Sequence, residues 1–428
     1  MIFHLPDVYE AYQRWKLAPT DKLICSQFLI AKLPNHWGYV ISAGIRVLAE
    51  QLQNFEADEA FLNELEEALK DCIDEDVNDF LTMIHNVKPS WRVDAVHDGT
   101  FLFGSQPCLC IQGNTFLTLI LLKHFQQIIE ESINTATRVS RLKTALGEAP
   151  VALISKTQVS ARAGLIGGAE VVLNHGDTSK TTLLLEYDAF VLEHNPHALL
   201  LLSASAPSEK NFELLRALPY PPKGIIIPFN AVETELEKYR TILNDRTWLQ
   251  SKIYCAAPSS EAVLKKQKAT GVQPDFWLLN FKREQGSLGY VKIHALKSAI
   301  CNAESKWQWL HSFADDCAFP RLPGFLNIRR YGKRRPSGDM IVNEHIKASS
   351  NIINDREFLN RSFRGDFHIL LEPVFMGRHF TLLQDEAADA KHAEVQKEYF
   401  GKNYTALDFP ASYPSGLEES FFNSIISS

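Results

Sequence analysis

The chain has 428 residues, of which 45% are hydrophobic and 22% charged, and it carries a formal net charge of −7. That balance belongs to an ordinary globular protein, long enough for two domains or one elaborated domain, and it excludes extensive disorder. The acidic total argues against nucleic acid or an anionic membrane surface as the main partner. No run of about 18 apolar residues is present, and Met1-Ile2-Phe3-His4-Leu5-Pro6 lacks the basic and apolar regions of a signal peptide, so a cytoplasmic location is expected.

Seven cysteines, spread from Cys25 to Cys317, fit buried thiols in a reducing compartment better than a disulfide framework. Cys108-Leu109-Cys110 lies in an alternating run that sets both sulfurs on one strand face. Without a second cysteine pair nearby it reads as buried thiols, and no metal site is expected.

In chain order, the spacing predicts a helix over residues 7–19, strands over 23–33 and 39–43, and a helix over 45–53. The acidic stretch 55–79 predicts helices with a solvated face. Residues 93–111 predict paired strands with turns at His97-Asp98-Gly99 and Gly104-Ser105-Gln106-Pro107. A long helix follows from Phe116 to Leu146, apolar at Leu121, Phe125, Ile128, Ile129 and Ile133. Arg138, Arg141 and Lys143 cluster near its end, where cations either complement the carboxyl pole of the helix or bind phosphate.

Residues 155–205 then set a pattern that the next hundred repeat. They predict a helix ending at Gly167-Gly168, a strand over 171–173, a polar loop, a helix through Glu186-Tyr187-Asp188-Ala189-Phe190, and a buried strand over 199–202. Helices over 209–218, 233–244 and 260–269 alternate with strands over 224–228, 253–257, 275–280 and 290–293. Continuous apolar strands in such alternation favour a parallel sheet closed, or nearly closed, into a barrel. Ligands in such folds sit in the loops at the carboxyl ends of the strands. Those loops begin at Asn174-His175-Gly176-Asp177-Thr178-Ser179, which has reactive groups, and at Ser203-Ala204-Ser205-Ala206, which offers only hydroxyls.

Beyond the alternating region a short helix is predicted over 307–313, a boundary at Pro320 to Gly324, strands over 325–329, 340–342 and 369–374, a helix over 384–398, and a further helical turn or two within 417–426. Arg329-Arg330-Tyr331-Gly332-Lys333-Arg334-Arg335 places five cations in seven residues. It reads either as a contact for phosphate backbones or as a solvated turn between strands, and the acidic total favours the turn.

Several phrases, in order along nearly the whole chain, resemble the nicotinate phosphoribosyltransferase family, a type II phosphoribosyltransferase fold related to quinolinate phosphoribosyltransferase. They are Phe28 to Pro34 with Tyr39 to Gly44; Ala95 to Gly99 with Phe103 and Gln106-Pro107; Ile133 to Arg141; and Glu186 to Phe190 with Leu199 to Leu202. Pro323-Gly324, Arg329-Arg330-Tyr331, Gly338-Asp339-Met340, Leu371 to Val374 and Tyr413 to Leu417 complete the series. The resemblance implies an α/β sandwich domain from residues 1–115 completed by 320–428, and a central irregular α/β barrel over 116–319. It also implies an active site shared across a head-to-tail dimer.

That family joins 5-phosphoribosyl diphosphate to nicotinate, in NAD biosynthesis, and needs anion donors, a carboxylate for the ribose and, in ATP-assisted members, a phosphate-accepting histidine. Here the departures gather. The family's arginine pair falls near Val151 to Thr157, where Lys156 is the only cation, and Asp177 stands where the phosphate-accepting histidine would be. The ribose and phosphate loops fall on Ser203 to Ala206, Ile226 to Ala231 and Leu278 to Phe281, all neutral.

The leading expectation is therefore a catalytically inactive member acting as a binding, regulatory or assembly partner, as a homodimer or in a heteromer with a related chain, with no cofactor and a mouth plugged by Phe229, Leu278, Leu279 and Phe281. The alternative is an active phosphoribosyltransferase using Mg2+, 5-phosphoribosyl diphosphate and, in some members, ATP. In that case Arg138, Arg141, Lys143, Lys156 and Arg162 would bind phosphates, and His175, beside Asp177, would act as acceptor.

Overall fold

A computed structural model describes residues 3–19, 22–34, 36–70, 76–147, 149–155, 157–174, 183–184, 193, 199–202, 208–257, 261–280, 289–301, 306–310, 312, 316–317, 322–353, 360–377, 379–380, 385–408 and 410–426. The chain divides into two compact units, one formed by Met1–Asn134 with Val291–Ser428 and the other by Thr135–Tyr290. Among the described residues no helix is long and apolar enough to cross a membrane.

The second unit is built on seven parallel strands. Along the sheet they run Val171–Asn174, Val151–Ser155, Phe276–Asn280, Lys252–Ala256, Gly224–Ile227, Leu199–Leu201, Leu183–Leu184. In chain order this is a cyclic permutation, because the last strand, Phe276–Asn280, pairs with the first, Val151–Ser155. Pairing of last with first is what rolls a parallel sheet into a barrel. The two strands at the ends of the series, Val171–Asn174 and Leu183–Leu184, are consecutive in the chain and mark the seam.

The strand interiors are apolar on both faces because helices cover one side and the barrel core the other. Gly224–Ile227 is buried throughout. Ala152, Leu199, Ile226, Tyr254 and Leu278 form one cluster, with Ile154 and Phe276 against it. Leu153 points the other way, to the helix Gln158–Ile166, where a Cβ added to Gly164 would lie 2.3 Å from Leu153 Cδ2. Close helix-to-sheet packing requires glycine at that point.

In the first unit two sheets face each other. One has seven strands in the order Trp307–Trp309, Ile293–Cys301, Leu23–Ile30, Pro107–Asn114, Trp91–Val96, Leu371–Gly377, His379–Phe380, and every pairing in it is antiparallel. The other has six, from Asn360–Ser362 through Asn351–Ile353, Ser415–Glu418, Gly338–Asn343 and Leu326–Tyr331 to Phe367–Ile369. Leu29 and Leu296 of the first sheet share one buried cluster with Leu326, Ile341, Leu417 and Phe421. The molecule thus combines an α/β barrel with a sandwich drawn from both ends of the chain.

Three local expectations are revised. Residues 307–313 do not open a helix: Trp307–Trp309 is an edge strand paired with Ala299 to Cys301, since two tryptophans flanking one glutamine also fit strand alternation. The predicted strand at 290–293 begins at Ile293, runs to Cys301, and pairs antiparallel with Leu23–Ile30 in the sandwich. Residues 291–319, placed by the sequence reading with the barrel, accordingly belong to the first unit, and the divide before the barrel falls within the helix Thr115–Ala145. Leu278 and Leu279 do not converge, because successive side chains on a strand point to opposite faces; only Leu278 joins the barrel interior.

Candidate functional site

At the carboxyl ends of the barrel strands the described residues are Ser155, Asn174, Leu202, Pro228-Phe229-Asn230, Ala256-Ala257 and Asn280. None is ionisable. Ser155 Oγ donates to the Thr157 carbonyl at 2.7 Å and lies 2.5 Å from Ser160 Oγ. Thr157 caps the helix Gln158–Ile166 by accepting from Ser160 N at 3.1 Å, so these hydroxyls close their own bonds at the helix start. Phe229 opens a short 3-10 turn, is half-buried, and meets Trp277 at 6.1 Å between ring centroids.

The basic residues named from the sequence divide into two groups. Arg138, Arg141 and Lys143 share the long helix Thr115–Ala145. Arg138 is 4% exposed and donates from Nε and Nη2 to the Gly289 carbonyl at 3.0 and 2.5 Å, with its guanidinium 5.7 Å from the centre of the Tyr290 ring. It ties the chain segment that leaves the barrel. Arg141 is buried and Lys143 half-buried, with the Lys143 stem alongside Gly168. Arg162 is half-buried on Gln158–Ile166. Lys156, His175, Asp177 and Phe281 lie outside the described residues. Of the basic segment after Leu326, Arg330 is buried, while Lys333, Arg334 and Arg335 stand exposed in the turn joining Leu326–Tyr331 to Gly338–Asn343.

A concentration of polar side chains that the sequence reading did not single out lies in the sandwich unit. A cavity of about 220 Å³ is lined by His97, Asp98 and Thr100 from the turn after Trp91–Val96, and by Arg330, His368 and Glu372 from strands. Asp389, His392 and Gln396 from the helix Glu386–Thr405, with Ile369 and Leu370, complete it. Asp98 accepts from Ile45 N at 3.3 Å at the start of the helix Ile45–Gln53. Burial nevertheless pushes the Asp98 carboxyl up to about 6, against the pull of the Ile45, Arg46 and Gly44 amides.

Asp389 is 6% exposed, and among the described residues its carboxyl has no hydrogen-bond partner. Burial first, and then the nearby charges of Asp98 and Glu386, push it up to about 8, with Arg46 pulling weakly the other way. Arg46 itself reaches Glu50 at 3.2 Å and Glu386 at 3.9 Å. His392 Nε2 lies 3.1 Å from Thr100 Oγ1, and His97 Nε2 lies 3.2 Å from Glu372 Oε2. Burial, then the charges of His97 and Arg330, lowers His392, and burial with Arg330 lowers His368. Both rings are therefore disposed to be neutral at pH 7. Among the described residues no group of three or more His, Cys, Asp or Glu has a metal-holding arrangement.

The signal for this cavity was present as a spacing. Asp389, His392 and Gln396 stand at i, i+3 and i+7, one face of a helix, and Asp385 caps that helix by accepting from Ala388 N at 2.8 Å. Periodicity alone does not say whether a polar face meets solvent or a cavity.

No protein-family model matches the sequence, and no curated protein matches it either. Solved structures do. The crystal structure of human nicotinic acid phosphoribosyltransferase aligns over 100% of both chains with a TM-score of 0.67 and 14% identity. The nicotinate-nucleotide pyrophosphorylase of Pyrococcus furiosus aligns over 93% of this chain and 95% of its own, with a TM-score of 0.54 and 14% identity. At such identities the likeness is one of architecture. The barrel and sandwich described above are the fold of nicotinic acid phosphoribosyltransferase and of nicotinate-nucleotide pyrophosphorylase.

Proposed function

We propose that this chain keeps the phosphoribosyltransferase architecture without phosphoribosyl transfer, and serves as a binding, regulatory or assembly partner, with itself or with a related chain. The observation that carries this reading is the neutrality of the described strand ends. Ser155, Leu202, Pro228, Ala256 and Ala257 stand at the carboxyl ends of barrel strands, where such folds bind ligands, and supply none of the cations or carboxylates that a diphosphate and a ribose require. Arg138, a buried cation on the helix that leads into the barrel, already holds the Gly289 carbonyl. A polyanion placed there would leave charges uncompensated at a cost of several kcal/mol each.

The test is a calorimetric titration of the full chain with 5-phosphoribosyl diphosphate and Mg2+, paired with a transfer assay to nicotinate with and without ATP. Neither saturable heat nor product is expected. Micromolar binding with turnover would establish the alternative, an active enzyme with a remodelled site.

A further inference from the structure

We propose that the cavity between the His97 turn, the strands bearing Arg330, His368 and Glu372, and the helix Glu386–Thr405 is a binding site for a small organic cation, a protonated amine with a short alkyl body. The inference is independent of whether the barrel is silent, since every residue it uses belongs to the sandwich unit.

Charge decides the class of ligand. Three carboxyl groups, Asp98, Asp389 and Glu372, line the cavity. The only guanidinium there, Arg330, is engaged: Asp339 takes its Nε and Nη2, the Phe101 carbonyl takes Nη2 as well at 2.8 Å, and Nη1 reaches Gln396 Oε1 at 3.4 Å. It therefore does not answer the charge of the carboxyls. His368 and His392 are held toward the neutral form, and His97 is set against Glu372. Arg46 is shared between Glu50 and Glu386. An anionic ligand would stand against the carboxyl groups of Asp98 and Glu372, whereas a cation would draw Asp389 into its ionised form and supply the charge and donors that this form needs.

Asp389 is the second, independent observation. The residue is 6% exposed and lines the cavity, and among the described residues its carboxyl has no hydrogen-bond partner, which leaves that carboxyl open to a donor from a ligand. An ammonium carries three donors, enough for Asp389, Asp98 and Thr100 Oγ1 together. Ile369 and Leu370 furnish an apolar wall for an alkyl stem. The volume of about 220 Å³ compares with about 30 Å³ for each water-sized group, which admits a short alkylammonium. A divalent metal fits less well, since the described carboxyls and imidazoles do not form a coordinating set.

The experiment titrates the full chain at pH 7 with n-butylammonium chloride and, separately, with n-butanol, in two buffers of different ionisation enthalpy. Saturable binding of n-butylammonium, with n-butanol at least about tenfold weaker, is expected from the loss of charge-assisted bonds. Protons should be released to the buffer as bound cation lowers the carboxyl affinities. Asp389→Asn should weaken n-butylammonium by about tenfold or more. Equal affinity for n-butanol, unchanged affinity in Asp389→Asn, or displacement of the amine by one equivalent of zinc chloride would overturn the proposal. Should Asp389→Asn fail to fold, the comparison of n-butylammonium with n-butanol on the unaltered chain decides alone.

Discussion

Arg330 and Asp339 are register partners across one hairpin, with Nη2 2.7 Å from Oδ2, and their side chains are 1% and 0% exposed. Asp339 also accepts from Tyr413 Oη at 2.9 Å and from Gln106 Nε2 at 2.9 Å, and Gln106 reaches Ser415 as well. The ring of Phe103 stacks on Tyr413 at 3.9 Å, and that of Phe400 lies 5.0 Å from the Arg330 guanidinium. One carboxylate thus joins Gln106, near the start of the chain, to Tyr413, near its end. Asp339→Asn preserves shape but leaves Arg330 a buried, unanswered charge, so we expect a loss of about 3–5 kcal/mol in denaturant titrations. A variant as stable as the parent would show that the hydrogen bonds, not the charge, matter.

The same network bears on truncation. A chain ending at Trp307 would lack Arg330, Asp339 and Tyr413, and Leu29 and Leu296 would lose Leu326, Ile341, Leu417 and Phe421. One bare sheet face does not bury a core, so the product should be insoluble. A soluble fragment with a cooperative melt would contradict the sandwich.

Asp389 should make stability depend on pH. Its affinity for a proton rises from the ordinary 3.8 to about 8 on folding, so between those values the folded state binds more protons than the unfolded. Its stabilising share is complete below the unfolded value and is lost as pH climbs through about 8. Asp98 adds a similar loss ending near 6. Compared with the parent, Asp389→Asn should gain in melting temperature progressively from pH 4 to pH 8. A gap that stayed constant across that range would refute the assignment.

Gly99 has φ +83°, and a Cβ there would sit 2.3 Å from the Asp389 carbonyl oxygen. Left-handed backbone costs a non-glycine residue about 1–2 kcal/mol, and the helix backbone cannot move aside without dislodging Asp389 and His392. Gly99→Ala should therefore cost more than about 2 kcal/mol, read by urea unfolding. A near-neutral result would mean that the turn and helix are not packed as described.

Arg138→Ala separates structural from ligand roles for the helix Thr115–Ala145. Removing both donors to Gly289 should cost about 1.5–3 kcal/mol by thermal or urea unfolding, while calorimetric titration with 5-phosphoribosyl diphosphate should look the same before and after. A diphosphate affinity that disappeared with the arginine would return Arg138 to the phosphate site.

What the sequence determined by itself was the local grammar and, through it, the fold class. Continuous apolar strands such as Gly224–Ile227 and amphipathic helices such as Val232–Asp245 declare themselves because burial on both faces, or on one stripe, is written into neighbouring residues. The phrases around Gln106, Arg330, Asp339 and Tyr413 were legible only through their resemblance, in order along the chain, to a known family, and they meet in the buried network of the sandwich. Sheet membership was left to the tertiary structure: the strand expected at 290–293 counts as one more barrel strand until Ile293–Cys301 is seen to pair with Leu23–Ile30. So was the cavity, where Thr100 and His392 touch although 292 positions separate them. Periodicity reports which side of an element is apolar, but which distant polar groups then face one another follows only from packing the elements together, a choice made by long-range burial rather than by adjacent residues.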